Sequence, residues 1–344
     1  MITYYNHDHA LHKGRVEMFR GRMVPCFEVP ERVDHVLAEL TRRSIGPIQA
    51  PQEWDDCALA AIHDLRYLDF LSTAWQEWVA LDAGNAQCDA IPSVWPIRGM
   101  RSDQVPENFA ARMGLFSFDA GSPLTSGTWR AARLGAQCAL SAAQCVADGA
   151  RSAFALTRPP GHHAGADYFG GYCFLNNAAL GAQQLRNAGA TKVAVLDIDY
   201  HHGNGTQDIF YKRADVLFVS VHGDPRTEYP FFLGHSDERG AAEGLGFNLN
   251  LPLPKGSDYA NWSQALEQGL LTIESFGADA LVVSMGMDTF AGDPISGFTL
   301  QSDDYLRIGE RLLRLGMPTV FVFEGGYAVH EIGVNAVNVL QAFV

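Results

Sequence analysis

From about residue 152 onward, short apolar runs alternate with longer stretches in which apolar positions recur at helical spacing. That alternation predicts a parallel sheet with crossover helices. The predicted strands are "SAFALT" (152–157), "KVAVLDID" (192–199), "VLFVSVH" (216–222), "ALVVSMGM" (280–287) and "TVFVFEG" (319–325). Between them lie three helical patterns: 174–189 stopping at Gly189, 257–277 with Ser257 or Asp258 as N-cap and Gly277 as stop, and 302–316 with Ser302 as N-cap and Gly316 as stop. The first half opens on a short strand, "ITYY", followed by a helix near 31–43 with Val33, Val36, Leu37 and Leu40 on one face. A second helix near 64–80 carries Leu68, Leu71, Trp75 and Trp78, an aromatic stripe that reads as core. Residues 82–127 break both patterns, being rich in Gly, Pro, Ser and isolated aromatics, and a loop this long inside a compact domain is functional or interfacial. A Gly/Ala-rich helix at 126–148 follows. With no internal repeat and no linker, residues 1–344 read as a single α/β domain with a central, mainly parallel sheet flanked by helices.

Composition narrows the class. Apolar residues make up 47% of the 344 and charged residues 19%, which describes a globular chain with a large core. The apolar runs fall well short of the roughly 18 residues of a membrane span, and the start, "MITYYNHDHALHKGR", lacks the basic-then-apolar order of a signal peptide. A cytoplasmic protein with no membrane partner is therefore expected. The formal charge of -14 disfavours nucleic acid and favours small cations. Six cysteines without paired spacing read as reduced thiols, mostly small core residues.

Ligands of open α/β sheets bind beyond the carboxyl ends of the strands, and four strands here end in ionisable residues flanked by glycine: "RPPGHHAG", "DIDYHHG", "DTFAGDP" and "EGGY". Asp197, Asp199 and His201 share one side of an extended strand end. Asp288, directly after a buried run, calls for a neutralising cation. Two carboxylates and an imidazole suit Zn²⁺ with a position left for water, and Fe²⁺ or Mn²⁺ fit the same ligand types. The competing reading has these aspartates capping helices and the histidines satisfying buried backbone; recurrence across strands favours the metal. His162 and His163 are adjacent and could divide proton chemistry, with Asp197 and Asn204 as partners that fix their tautomers. The Tyr327 hydroxyl could donate to an oxyanion. Base, metal and oxyanion donor together describe hydrolysis of an amide or ester.

The motifs "RPPGHHAG", "GGYCFLNNAA", "DIDYHHGNGTQDIF", "MGMDTFAGDP" and "EGGY" resemble, in order, those of the zinc-dependent histone deacetylase superfamily on its arginase-like α/β fold. Within it, "DHALHKGRVE", "VPCFEVPERV", "HGDPRTEYPFFLG" and "YAVHEIGVNAVNVLQ" extend a similarity to the bacterial acetylpolyamine amidohydrolases nearly end to end. The resemblance implies one zinc per chain on Asp199, His201 and Asp288. It implies His163 as general base and acid, His162 as its electrostatic partner supported by Asp197, Asn204 behind His163, and Tyr327 as carbonyl polariser. It also implies a structural K⁺ or Na⁺ on Asp197, Asp199, His201, Ser220 and Val221, and a second on carbonyls of Phe210, Arg213 and Val216.

By the same resemblance, Tyr172, beside Gly171, and Tyr229 wall the substrate tunnel, where phenylalanine is common, so two hydroxyls make a more polar channel. The 82–127 insertion would build a homodimer and narrow the entrance, admitting a slender small-molecule acetylated polyamine. Glu17 would meet its distal ammonium; Glu107 is the nearest match to a second acidic position, which itself falls closer to Ala110. His202 has no assigned role and reads as structural. A binuclear manganese enzyme of the arginase or agmatinase type would need carboxylates where Gly203 and Gly286 stand. A deacetylase of acetyl-lysine or another acylated amine shares the chemistry but not the end-to-end match. A non-catalytic sensor of acetylated amines is disfavoured because every catalytic position is present.

Overall fold

The apolar runs form the middle of an eight-stranded sheet. The computed structural model describes all residues 1–344. In chain order its strands are β1 (Ile2–Tyr5), β2 (Val16–Phe19), β3 (Arg22–Pro25), β4 (Ile48–Gln49), β5 (Ser152–Leu156), β6 (Val193–Asp197), β7 (Val216–Gly223), β8 (Asn248–Leu253), β9 (Ala280–Met285) and β10 (Thr319–Phe323). β2 and β3 form a separate antiparallel hairpin, and the other eight are ordered β4-β1-β5-β10-β9-β6-β7-β8. All neighbours in this sheet are parallel, so helices must cover both faces.

The two faces have separate cores. Along β6, Val193 and Val195 enter one core while Ala194 and Leu196 enter the other; β9 and β10 alternate the same way. α2 (Leu65–Leu81), α4 (Thr128–Ala147) and α5 (Asn177–Asn187) cover the first face, and α1 (Glu31–Arg42), α7 (Tyr259–Phe276), α8 (Ser302–Arg314) and α9 (Ile332–Leu340) the second. Full burial of a Val, Leu or Phe contributes roughly 1.5–3 kcal/mol, so the central strands are rigid supports for whatever projects from their ends. No helix is long and apolar enough to cross a membrane.

Cap chemistry sets the helix ends. Asp258 accepts the Asn261 amide at the start of α7, and Gly277 ends it in the left-handed region that glycine tolerates best. Asn176 caps α5 through the Ala179 amide, so this helix starts later than residue 174. α8 corrects the expected cap: Gln301, not Ser302, occupies the N-cap, in a reciprocal box with Asp304.

Three further expectations change. Residues 82–127 are not irregular throughout, because they hold α3 (Phe109–Leu115) and a bridge between Ala90 and Leu124. α2 buries Tyr67, Leu68, Phe70 and Leu71 and leaves Trp75 and Trp78 half-buried. All six cysteines are free, but only Cys138 and Cys173 are buried, while Cys57 and Cys88 are exposed.

Candidate active site

The sheet order explains why four motifs distant in sequence meet. β5, β10, β9 and β6 are consecutive neighbours, and their carboxyl ends lead into residues 157–165, 324–327, 286–293 and 197–204. A single register therefore delivers all four sets of side chains to one spot.

Asp199, His201 and Asp288 are buried, and one ligand-capable atom from each lies within 4.8 Å of the others. His201 Nδ1 sits 2.9 Å from Asp288 Oδ2 and 3.5 Å from Asp199 Oδ1. Burial first, and then the Asp199 charge, push Asp288 up to about 8. Two buried carboxylates this close need a cation to be ionised together. Backbone leaves room for one: a Cβ on Gly286 would lie 2.0 Å from Asp199 Oδ2, and one on Gly325 would lie 2.6 Å from Asp199 Oδ2 and 2.8 Å from Asp288 Oδ2. The donor set and the space fit a divalent ion. Glycines stand at 203 and 286, against Asp197 and Asp199, so neither position supplies the further carboxylate that a binuclear manganese site would take.

The tandem histidines lie beside this cluster with rings 4.0 Å apart. Their partners differ. His162 Nδ1 is 2.9 Å from Asp197 Oδ2, whereas His163 Nδ1 is 2.7 Å from Asn204 Oδ1. Burial opposes charge on His162, but the Asp197 and Asp199 carboxylates outweigh it and raise the imidazole to about 10. Burial, reinforced by the charges of His162 and His201, drives His163 well below its ordinary value. The two carboxylates thus favour the proton on the His162 imidazole, and burial favours a neutral His163. With Nδ1 donating to the Asn204 carbonyl, His163 keeps Nε2 free to accept a proton.

Tyr327 follows β10, its amide donating to Asp293 Oδ2 at 2.7 Å. Its hydroxyl lies 3.3 Å from the point where a Gly325 Cβ would stand, beside the same Asp199 and Asp288 oxygens. Burial raises this phenol well above its ordinary value, which keeps it a hydrogen-bond donor.

A cavity of about 540 Å³ opens onto His163, His201 and Tyr327. Tyr172 and Tyr229 are among its lining residues, and both hydroxyls are engaged: Tyr172 donates to Glu17 Oε1 at 2.7 Å and Tyr229 to Asp119 Oδ2 at 2.6 Å. Tyr229 meets the His163 ring edge to face at 5.1 Å. Gly171 is required beside it, because at φ +53 a Cβ would lie 2.3 Å from His163 Cδ2. Glu17 lines the cavity, buried on β2, and burial pushes it up to about 7 despite donors from Tyr172 and Phe27. Glu107 is exposed just before α3 and does not line the cavity.

The residues expected at the monovalent sites are close in part. Asp197 and Ser220 are register partners on β6 and β7, and Ser220 Oγ is 2.7 Å from His222 Nδ1. Val221 follows on β7, while Phe210 ends α6 (Asn204–Phe210) and its carbonyl accepts the Arg213 amide just before Val216. His202 is buried against Gln207 and His222, away from the cavity lining.

Four supporting residues escaped sequence reasoning. Glu324 accepts the amides of Gly161 and His162 at 2.6 and 3.1 Å, holding the histidine loop. Arg32 donates to the carbonyls of Gly326 and Glu324 at 2.6 and 2.5 Å and lies 4.9 Å over the Tyr327 ring. Glu28 bridges Arg32 and Arg158 at 2.8 and 2.7 Å. Asp119 joins Tyr229 to the Gly171 and Gly121 amides. The only hint was Arg32 among the apolar positions of α1 and Glu324 at the end of a buried strand.

Known proteins resemble this chain along its whole length. The histone deacetylase domain matches residues 26–343. Acetylpolyamine amidohydrolase 2 of Pseudomonas aeruginosa is 54% identical, covering 100% of this chain and 98% of the relative. The acetylpolyamine amidohydrolase of Mycoplana ramosa is 44% identical, over 99% of each chain. Among solved structures, the acetylpolyamine aminohydrolase of Burkholderia pseudomallei superposes with a TM-score of 0.95 at 42% identity, covering 100% of this chain and 98% of that one.

Proposed function

The chain belongs to the histone deacetylase domain family, and from that premise we propose that it is a zinc-dependent amidohydrolase removing acetyl groups from acetylated polyamines such as acetylputrescine, acetylcadaverine and acetylspermidine. The observation that carries this is the cavity with His163, His201 and Tyr327 at its inner end and Glu17 on its wall. That combination suits a short acyl group on a chain ending in a cation. The names of the full-length relatives support the substrate class.

Asp199, His201 and Asp288 would hold the zinc, which when bound polarises an acyl carbonyl and lowers the pKa of water. The protein's own groups do the rest. His163, neutral and oriented by Asn204, takes a proton from the attacking water on Nε2 and returns it to the departing amine nitrogen. His162, held as imidazolium by Asp197, stabilises negative charge as it develops. The Tyr327 hydroxyl donates to the carbonyl oxygen as that oxygen becomes anionic. Tyr172 and Tyr229 confine the alkyl chain, and Glu17 receives the distal ammonium.

The 82–127 insertion exposes Val94, Ile97, Met100 and Val105, an apolar series that supports its reading as a homodimer interface beside the entrance. Asp197 and Ser220, paired in register, support the K⁺ or Na⁺ reading.

Steady-state kinetics on acetylputrescine, acetylcadaverine, N8-acetylspermidine and an acetyl-lysine peptide test the proposal. Higher kcat/KM on the acetylated amines than on the peptide is the expected result. Preference for the peptide would transfer the enzyme to acetyl-lysine substrates.

A further inference from the structure

The cavity is lined by charges of both signs, and they are not equally available. Glu17 has one oxygen held by Tyr172 and the other by the Phe27 amide at 3.1 Å, and it faces the cavity. Asp119 is more heavily committed, to the Tyr229 hydroxyl at 2.6 Å and the Gly171 and Gly121 amides at 2.9 and 3.0 Å. Glu228 is buried against Tyr200. Of the three, Glu17 is the one that accepts from Tyr172, and it is the carboxylate assigned above to the distal ammonium.

Arg20 and Lys255 complete the lining, and both are exposed. They come from unrelated elements. Arg20 occupies the β2–β3 turn at φ +49, its guanidinium 5.0 Å over the Phe19 ring. Lys255 follows β8, with its stem laid over Gly297: a Cβ there would come within 2.7 Å of Lys255 Cγ. In a chain of net charge -14, where most arginines of the surface pair with a carboxylate, these two cations make no ion pair within 4.0 Å.

We propose that Arg20 and Lys255 form a charge filter at the cavity mouth, which favours acetylated amines bearing one distal ammonium over those bearing two. The inference rests on the polyamine reading above and deepens it. An acetylated diamine places its single ammonium at Glu17. An acetylated triamine with the same first spacer does likewise, but its second ammonium then lies further out, among the two cations. Repulsion between like charges a few ångströms apart in water corresponds to a roughly three- to tenfold loss in kcat/KM, and salt screens it.

Acetylputrescine and N8-acetylspermidine share the four-carbon spacer and differ in the second ammonium, so their kcat/KM ratio isolates the filter. In the full chain loaded with zinc, Arg20→Gln combined with Lys255→Gln should raise the spermidine-to-putrescine ratio about three- to tenfold at low salt and much less at about 0.5 M salt. Arg20→Glu with Lys255→Glu should raise it further. Circular dichroism confirms that each variant is folded. A ratio that stays within about twofold of the unmodified protein in both variants overturns the filter while turnover of acetylputrescine upholds the enzyme. Absence of turnover on every acetylated amine overturns both.

Discussion

Asn204 Oδ1 lies 2.7 Å from Nδ1 of His163, so an amide stands behind this histidine where a carboxylate stands behind its neighbour. The contrast favours charge on one of two adjacent imidazoles and neutrality on the other. If His163 is the base, as proposed, it works when neutral, and its depressed pKa should put the acidic limb of the rate profile below the ordinary histidine value of 6.5. Asn204→Asp gives His163 a carboxylate partner and should move that limb upward by about one unit or more. A pH profile of kcat/KM on a neutral amide such as N-acetylbutylamine reads this directly; an unmoved limb would remove His163 from the role of base.

Variants at Gly286 and Tyr327 test the proposed metal site and the proposed oxyanion donor separately. A Cβ at residue 286 would stand 2.0 Å from Asp199 Oδ2, so Gly286→Ala should lose both bound metal and activity. Tyr327→Phe removes a donor without touching the ligands, and should lower kcat by about 10²–10³ with metal content unchanged. Elemental analysis of the two purified variants, beside their rates, checks both expectations.

Glu17 should make substrate binding pH-dependent. Burial holds it protonated up to about pH 7, and a protonated carboxyl pairs poorly with an ammonium. The KM for acetylputrescine should therefore fall as pH rises through about 7. In Glu17→Gln this fall should vanish and KM should rise up to about fivefold, the worth of one weak charge pair. N-acetylbutylamine, which has no ammonium, is the reference substrate. A KM that is flat with pH in the unmodified enzyme would remove Glu17 from cation recognition.

Glu28 should carry stability rather than chemistry. Burial opposes its ionisation, but Arg158 and Arg32 outweigh that and hold it down to about 2, below the ordinary 4.5. A depressed carboxyl contributes stability above its unfolded pKa and loses it as pH falls, here between about 4.5 and about 2. Glu28→Gln leaves two buried guanidinium groups without their anion and should cost about 3–5 kcal/mol at neutral pH. Denaturant unfolding at pH 7 and pH 3 tests this: the gap between variant and parent should narrow at the lower pH.

Much of the architecture was legible because parallel strands covered on both faces must be apolar throughout. β5, β6, β7, β9 and β10 stood out for that reason, and the ionisable residues at their ends had no place in a core. The hairpin β2–β3 and strand β8 lacked that signal, since β2 and β3 are largely exposed and "NLNLPL" alternates. Local propensity also misplaced one cap, because Gln301 forms a reciprocal pair with Asp304 that Ser302 does not.

The residue types by themselves determined the chemistry available: imidazoles, carboxylates and a phenol at strand ends, with glycines where side chains would intrude. Tertiary structure alone decided that β5, β10, β9 and β6 are neighbours, and hence that His163, His201 and Tyr327 face one cavity while Asp199 and Asp288 cluster with His201. It alone joined Glu28 to Arg158 and Tyr229 to Asp119, and brought Arg20 and Lys255 to the lining of one cavity. Strand formation is governed by a residue's immediate neighbours and its burial, so it leaves a periodic trace in the chain. Strand order and ion pairing across more than a hundred residues depend on how the whole chain closes upon itself, and no local pattern encodes that.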